Sequence, residues 1–269
     1  MNRTGRFGFF GLYGVFFVAL LYGPVLLLPP FSFNDNIYIA FPFKGFTLRW
    51  YQEMVNNASL MAALRNSLTV AIPVAIVSTV LGLFAAKALT RYRLPGKGPV
   101  MALIMIPLVI PFIILGIALL STARKMFDLE LSLWTIGAGH VLICLPFSVL
   151  VLMSRLEGFD KSLEEASLDL GEGAWGTFWR VTFPLALPGI VASMLLSFSE
   201  SLDEFLIAFF LSGNDATLPL FIWSQLRFPN KLPGVLALGS CILVFSFVLV
   251  IAAEMVRRRG VQLEKPTAF

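Results

Sequence analysis

Three carboxylates stand within five residues of one another inside an apolar run: Glu200, Asp203 and Glu204 in SMLLSFSESLDEFLIAFFL (193–211). Glu200 lies twelve residues beyond Pro188, roughly 18 Å along a helix, near the middle of a bilayer. Each acid facing lipid there costs about 2.5–3.5 kcal/mol. They must therefore turn inward. Ser193, Ser197, Glu200 and Glu204 recur at spacings of four, three and four, which makes one polar stripe with Asp203 beside it. Two chemistries fit this stripe. The acids can line a water-filled path, where negative charge lowers the barrier for ammonium groups. Alternatively they are structural, paired with a cation of a neighbouring helix or subunit, or protonated. The other spans offer little positive charge except Lys87.

A second charged stretch, EEASLDLGEGAWGTFWRVTFPLALPG (164–189), carries Glu164, Glu165, Asp169 and Glu172. Ser162 and Glu165 have the S-x-x-E spacing of a capping box, which predicts a short helix after Asp160. That helix is expected to reach Leu170 and stop at Gly171, where a residue without Cβ takes the left-handed position. A further helical stretch, AWGTFWRVTF, runs to Pro184 and joins the next span. Leu163, Ala166 and Leu170 form an apolar stripe on the first helix, and Trp175, Phe178 and Trp179 form one on the second. Two readings stand for these stripes. They pack on the ends of the spans, or one of them docks into another protein.

The elements that position both stretches are membrane helices. Of 269 residues, 58% are hydrophobic and 13% charged, and the mean hydropathy is +0.84. An ordinary soluble domain carries about 25% charged residues, so the apolar excess must face lipid. Six runs are long enough to cross: 9–29, 67–89, 99–120, 133–153, 185–211 and 235–255. None alternates as barrel strands do. The first follows Arg3 and Arg6, but it is longer than a signal-peptide core and no small-x-small site follows Pro30, so an uncleaved span is expected. With the N-terminus inside, thirteen Lys and Arg fall on the cytoplasmic side and seven outside. The short basic loop TRYRLPGKG (90–98) weighs most. Both termini and the 164–189 stretch are then cytoplasmic. Cys144, Cys241 and the lone His140 have no metal-ligand spacing and read as packed core groups.

Glu165-Ala166-Ser167, three residues, Gly171, nine residues and Val181-Thr182-Phe183-Pro184 resemble the EAA loop (E-A-A-x3-G-x9-I-x-L-P) of ABC-importer permeases. The loop also falls between the fourth and fifth of six spans, as in that family. FSFND (31–35), GFTLRWY (45–51), ALRNSL (63–68) and SLDEF (201–205) are similar to the PotC-type permeases of spermidine/putrescine importers. Related permeases for opines, aminophosphonates or iron share some of these segments.

The resemblance implies an all-α polytopic membrane protein of six helices with the type I ABC-importer permease fold. Residues 1–269 would form one transmembrane domain, with the type-1 core at 62–255 and the coupling loop at 157–184. Glu164, Glu165, Ala166, Ser167, Asp169 and Gly171 would serve ATPase coupling. The implied partners are a second, similar permease, two ATPase subunits and a periplasmic binding protein in a bacterial inner membrane. No G-x-x-x-x-G-K-[ST], H-E-x-x-H or G-x-S-x-G occurs; Gly96-Lys97 is followed by Gly98. A non-catalytic subunit without cofactor is therefore expected, with ATP and Mg used by the partner ATPase. A secondary carrier or an intramembrane enzyme is the rival class, but no second half repeats the first. The aromatic-rich segment from Pro30 to Ala63 suits anchoring at the headgroup interface, or contact with a binding protein.

Overall fold

Apolar runs in lipid must satisfy their backbone polar groups internally, and helices do this within one segment. The computed structural model describes residues 3–262, with side chains for 10–248 and Ile251. Among the described residues its regular elements are helices joined by loops, with an isolated antiparallel bridge between Asn34 and Phe46. In chain order the helices are α1 (Arg3–Leu26), α2 (Leu28–Ser32), α3 (Arg49–Val55), α4 (Ala58–Arg91), α5 (Lys97–Val109), α6 (Phe112–Ser121) and α7 (Leu133–Glu157). There follow α8 (Ser162–Asp169), α9 (Ala174–Thr177), α10 (Phe183–Asp203), α11 (Leu206–Leu211), α12 (Leu218–Gln225) and α13 (Leu232–Gln262).

The expected spans have counterparts in Phe10–Ser32, Ala58–Arg91, Leu133–Glu157, Ala174–Asp203 and Pro229–Val248, and in the pair α5 and α6. Two of them differ in form from the expectation. The run at 99–120 is bent by 102° between α5 and α6. The bend falls at Ile110, whose ψ of 130° is extended, because Pro111 sterically disfavours the helical region for the residue before it. The run at 185–211 breaks at Glu204, also extended at ψ 121°, and resumes as α11.

The chain forms two compact units. One joins the residues up to Met61 with Ile222–Val248, and the other is built on Ala62–Phe221. In the first, Trp50 is buried and donates its indole N–H to the carbonyl of Asn34 at 2.9 Å. Arg49 lies over the Trp50 ring at 4.2 Å and pairs with Asp35 at 3.1 Å. Phe31, Phe41 and Phe43 stack around one another beside them. In the 30–63 segment Phe31 and Trp50 are thus buried, while Tyr38, Phe41 and Phe46 stay exposed.

In the second unit α4, α7 and α10 make the frame. Leu83, Ala86, Leu152, Leu156, Ala186 and Ile190 pack at one end with Phe178. Val70, Val74, Ile136, Ile143 and Cys144 pack at the other with Leu115, Ile207, Ala208 and Leu211. Lipid supplies no hydrophobic drive between helices, so close approach and polar contacts hold them. A Cβ on Gly82 would lie 2.6 Å from the Ser148 Cβ, and one on Gly189 would lie 2.8 Å from Arg155. Along α10, Ser193 bonds Thr79 at 3.1 Å, Ser197 bonds Ser148 at 2.9 Å and Ser201 bonds His140 at 2.8 Å. These buried serines recur every fourth residue, once per turn.

The α4–α7 contact is tight at Gly82, so Gly82→Val should cost about 1–3 kcal/mol by overpacking. The purified protein should melt at lower temperature, whereas Gly98→Ala, which meets nothing within 4 Å, should not. Equal melting of the two variants would refute the close crossing.

Candidate functional site: an acid-lined cavity and a surface loop

The break in the fifth span separates the three acids. Glu204 is buried, and its carboxylate accepts N–H bonds from Leu206 (3.0 Å), Ile207 (2.8 Å) and Ala208 (3.2 Å). It takes the free donors at the head of α11, the usual work of a helix cap. On its other side His140 Nε2 stands 3.4 Å away, with the ring fully enclosed. Glu200 and Asp203 are different. They line a cavity of about 330 Å³ with Phe112, Leu196, Ser199, Phe205 and Leu206, into which Glu204 also shows an edge. Among the described residues neither Glu200 nor Asp203 has a hydrogen-bond or ion-pair partner.

The stripe inferred from spacing therefore divides by environment. Ser193, Ser197 and Glu204 face the packed seam, while Glu200 and Asp203 face the cavity. Lys87, the cation noted within the other spans, lies against the 164–189 segment, with Nζ 4.8 Å from the centroid of Phe178. His140 is a packed imidazole, as expected, but a carboxylate reaches it from α10's end. It lies 64 residues from Glu204, so spacing could not pair them. The signal was the cost of any ionisable group inside a span, which marks it for a partner.

The loop between α7 and α10 is built as two helices around a glycine. Gly171 has φ +89°, and its N–H donates to Leu168 O at 2.9 Å while Glu172 N–H reaches Ser167 O at 3.2 Å. These bonds form a Schellman motif, the turn that glycine at C′ permits. The start differs from the expected capping box. Asp160 Oδ1 accepts the Ser162 N–H at 3.0 Å, and Lys161 occupies the cap position without a side-chain bond. The acceptor two residues upstream takes the donor first, so Ser162 lies inside the helix. Beyond α9 the chain widens into one π-turn, Phe178–Thr182, before Pro184, whose ring has no N–H to donate to the preceding turn.

The loop residues divide into anchors and an open face. Glu164 pairs with Arg91 Nε at 3.2 Å, both nearly enclosed, and accepts the Thr182 hydroxyl at 2.6 Å. Ser167 bonds Thr177 at 3.0 Å. Arg91 also covers the Phe159 ring at 4.5 Å. Glu165, Ala166, Asp169 and Gly171 are exposed, as are Leu163, Leu170, Trp175 and Trp179. Of the two apolar stripes only Phe178 packs inward, stacked on Phe84.

These features define a membrane-embedded helical subunit with an acid-lined cavity at a helix break and an apolar-faced loop at its surface. The chain belongs to the family of binding-protein-dependent transport system inner membrane components, which matches residues 78–261. It is 36% identical to the spermidine/putrescine transport system permease protein PotC of Escherichia coli (strain K12), over 89% of this chain and 90% of that one. It is 35% identical to the putrescine transport system permease protein PotI of the same strain, over 91% of each chain. The fold is similar to that in the crystal structure of a bacterial ABC transporter involved in import of the acidic polysaccharide alginate. There the TM-score is 0.72 at 17% identity, covering 94% of this chain and 98% of that chain. The protein is thus a multi-span inner-membrane permease subunit of the type I importer fold.

The Ser162 N–H holds the exposed Asp160 carboxyl below its ordinary range, so its contribution is present above about pH 3.9 and fades as pH falls through the lower folded value. Asp160→Ala should accelerate hydrogen exchange across 160–166, and Ser162→Ala should leave it near the parent rate. The reverse order would restore the capping box.

Proposed function

We propose that the chain is the translocating subunit of an ATP-driven importer for polyamines, with Glu200 and Asp203 meeting the cargo's ammonium groups. The observation that carries this reading is the pair of unpartnered carboxylates around the cavity at the helix break. Glu200 is half-buried and Asp203 exposed at the cavity, so both present open negative charge to an entering cation. The names of the permeases at 35–36% identity point to the same class of cargo.

Both termini and the 157–184 loop lie in the cytoplasm in this reading, following the Lys and Arg distribution. Glu165, Ala166 and Asp169, with Leu163, Leu170 and Trp175, offer the face that seats in an ATPase subunit. Glu164 and Ser167 hold the loop to the bundle, and Gly171 sets the angle between its helices. A second permease, two ATPase subunits and a periplasmic binding protein complete the assembly. ATP and Mg belong to the ATPase, and this chain contributes no catalytic group.

Glu200→Gln and Asp203→Asn keep shape and remove charge. In a reconstituted complex each should lower spermidine or putrescine uptake at least tenfold, about 1.4 kcal/mol, with the complex melting at or above its original temperature. Unchanged uptake in the double variant would sink the cationic path.

Gly171→Val should strain the turn by about 1–2 kcal/mol, because the cost is conformational and no neighbour lies within 4 Å. Stimulation of ATP hydrolysis by loaded binding protein should fall, while the subunit still inserts and assembles. Gly171→Asn should be milder, since Asn tolerates the left-handed region. Full stimulation in the valine variant would remove the loop from coupling.

A further inference from the structure

The short helix α11 is held at both ends by α7. At its head, Glu204 sits between three backbone N–H groups and the His140 ring. At its tail, the Thr135 hydroxyl lies 2.9 Å from the Leu211 carbonyl oxygen and donates to it. Between them Gly139 leaves the space that α11 fills. A Cβ there would fall 2.6 Å from Ile207 Cγ2 and 2.8 Å from Leu211 Cδ1. Thr135, Gly139 and His140 thus form one cradle on α7.

We propose that His140 is a positioning residue of the path. By holding Glu204 at the head of α11 it fixes the break, and so sets how Glu200 and Asp203 present their carboxylates to the cavity. This rests on the reading of the cavity as the cargo's route. His140 Nδ1 lies 2.8 Å from the Ser201 hydroxyl, and Nε2 stands 3.4 Å from Glu204 Oε2, a close contact rather than a hydrogen bond. Nε2 is buried without a hydrogen-bond partner among the described residues, and the Glu204 carboxylate is the group it faces. Glu204 is held by three backbone N–H groups and faces His140 on its other side. It shows only an edge to the cavity, so the cargo meets chiefly the other two acids. Without His140, Glu204 loses the group that closes the far side of its carboxylate. The residues on either side of the break, Asp203 above all, then lose their orientation.

The test reads orientation and transport separately. In a full complex carrying Cys241→Ser, Asp203→Cys is labelled with a positively charged thiol reagent, with Ser199→Cys as a reference one turn earlier. Cys144 is buried and silent. His140→Ala should change the labelling rate at 203 severalfold and leave 199 as it was, and His140→Gln should restore the parent rate through its amide N–H. In otherwise unmodified chains, His140→Ala should raise KM for spermidine or putrescine at least fivefold with a smaller fall in maximal rate. Unchanged labelling at 203 overturns the proposal. So does an equal change at 199 and 203 without recovery in His140→Gln, which would mean general loosening. If labelling behaves as expected but the parent complex takes up no polyamine, the positioning role stands and only the cargo assignment falls.

Discussion

A carboxylate inside a membrane-spanning bundle has to find its compensation within the protein, and Glu204 finds it in the backbone of the next helix. Its oxygens take the N–H groups of Leu206, Ile207 and Ala208, and that choice ends α10 at Asp203. A helix continuing through 204 would have used those donors for its own carbonyls and left the acid to lipid or to an empty interior. The break is thus the form that satisfying one buried charge takes. The neighbouring features follow from it. The exposed edge of the break opens the cavity, Gly116 and Gly139 leave room for α11, and His140 closes the far side of the carboxylate.

The second constraint lies at the opposite end of the same helical run. From Ala174 to Asp203 the chain is helical without interruption, thirty residues or about 45 Å, passing only through the π-turn before Pro184. The 158–182 loop and the acid-lined cavity are therefore the two ends of one rod. Arg91 fixes the loop end to α4 through the enclosed pair with Glu164, and removing one partner of such a pair leaves a charge without relief. The seam of Ser193, Ser197 and Ser201 fixes the rod along its length. A continuous helix, bonded to its neighbours through these side chains, thus joins Trp175 to Asp203.

Composition and run length were enough to specify a membrane bundle, because hydrocarbon imposes one requirement on every residue that crosses it. The glycine at 171 was equally legible, since a turn of positive φ depends on local covalent geometry alone. The EAA spacing carried the family. Periodicity also found the polar stripe of α10, but it treated Ser193, Ser197, Glu200 and Glu204 as one face with one use.

What only the tertiary structure decided is which neighbours each of those residues meets. His140 and Glu204 are 64 residues apart, as Arg91 and Glu164 are 73, and no local pattern encodes such pairings. The capping box at Ser162 failed for a related reason: two acceptors competed for one donor, and three-dimensional reach favoured Asp160. Sequence determined that charge would be buried in the fifth span. Folding decided that Glu204 is answered by backbone N–H groups and an imidazole while Glu200 and Asp203 stay open to the cavity. Compensation of a buried charge depends on distances across helices, and only packing sets those.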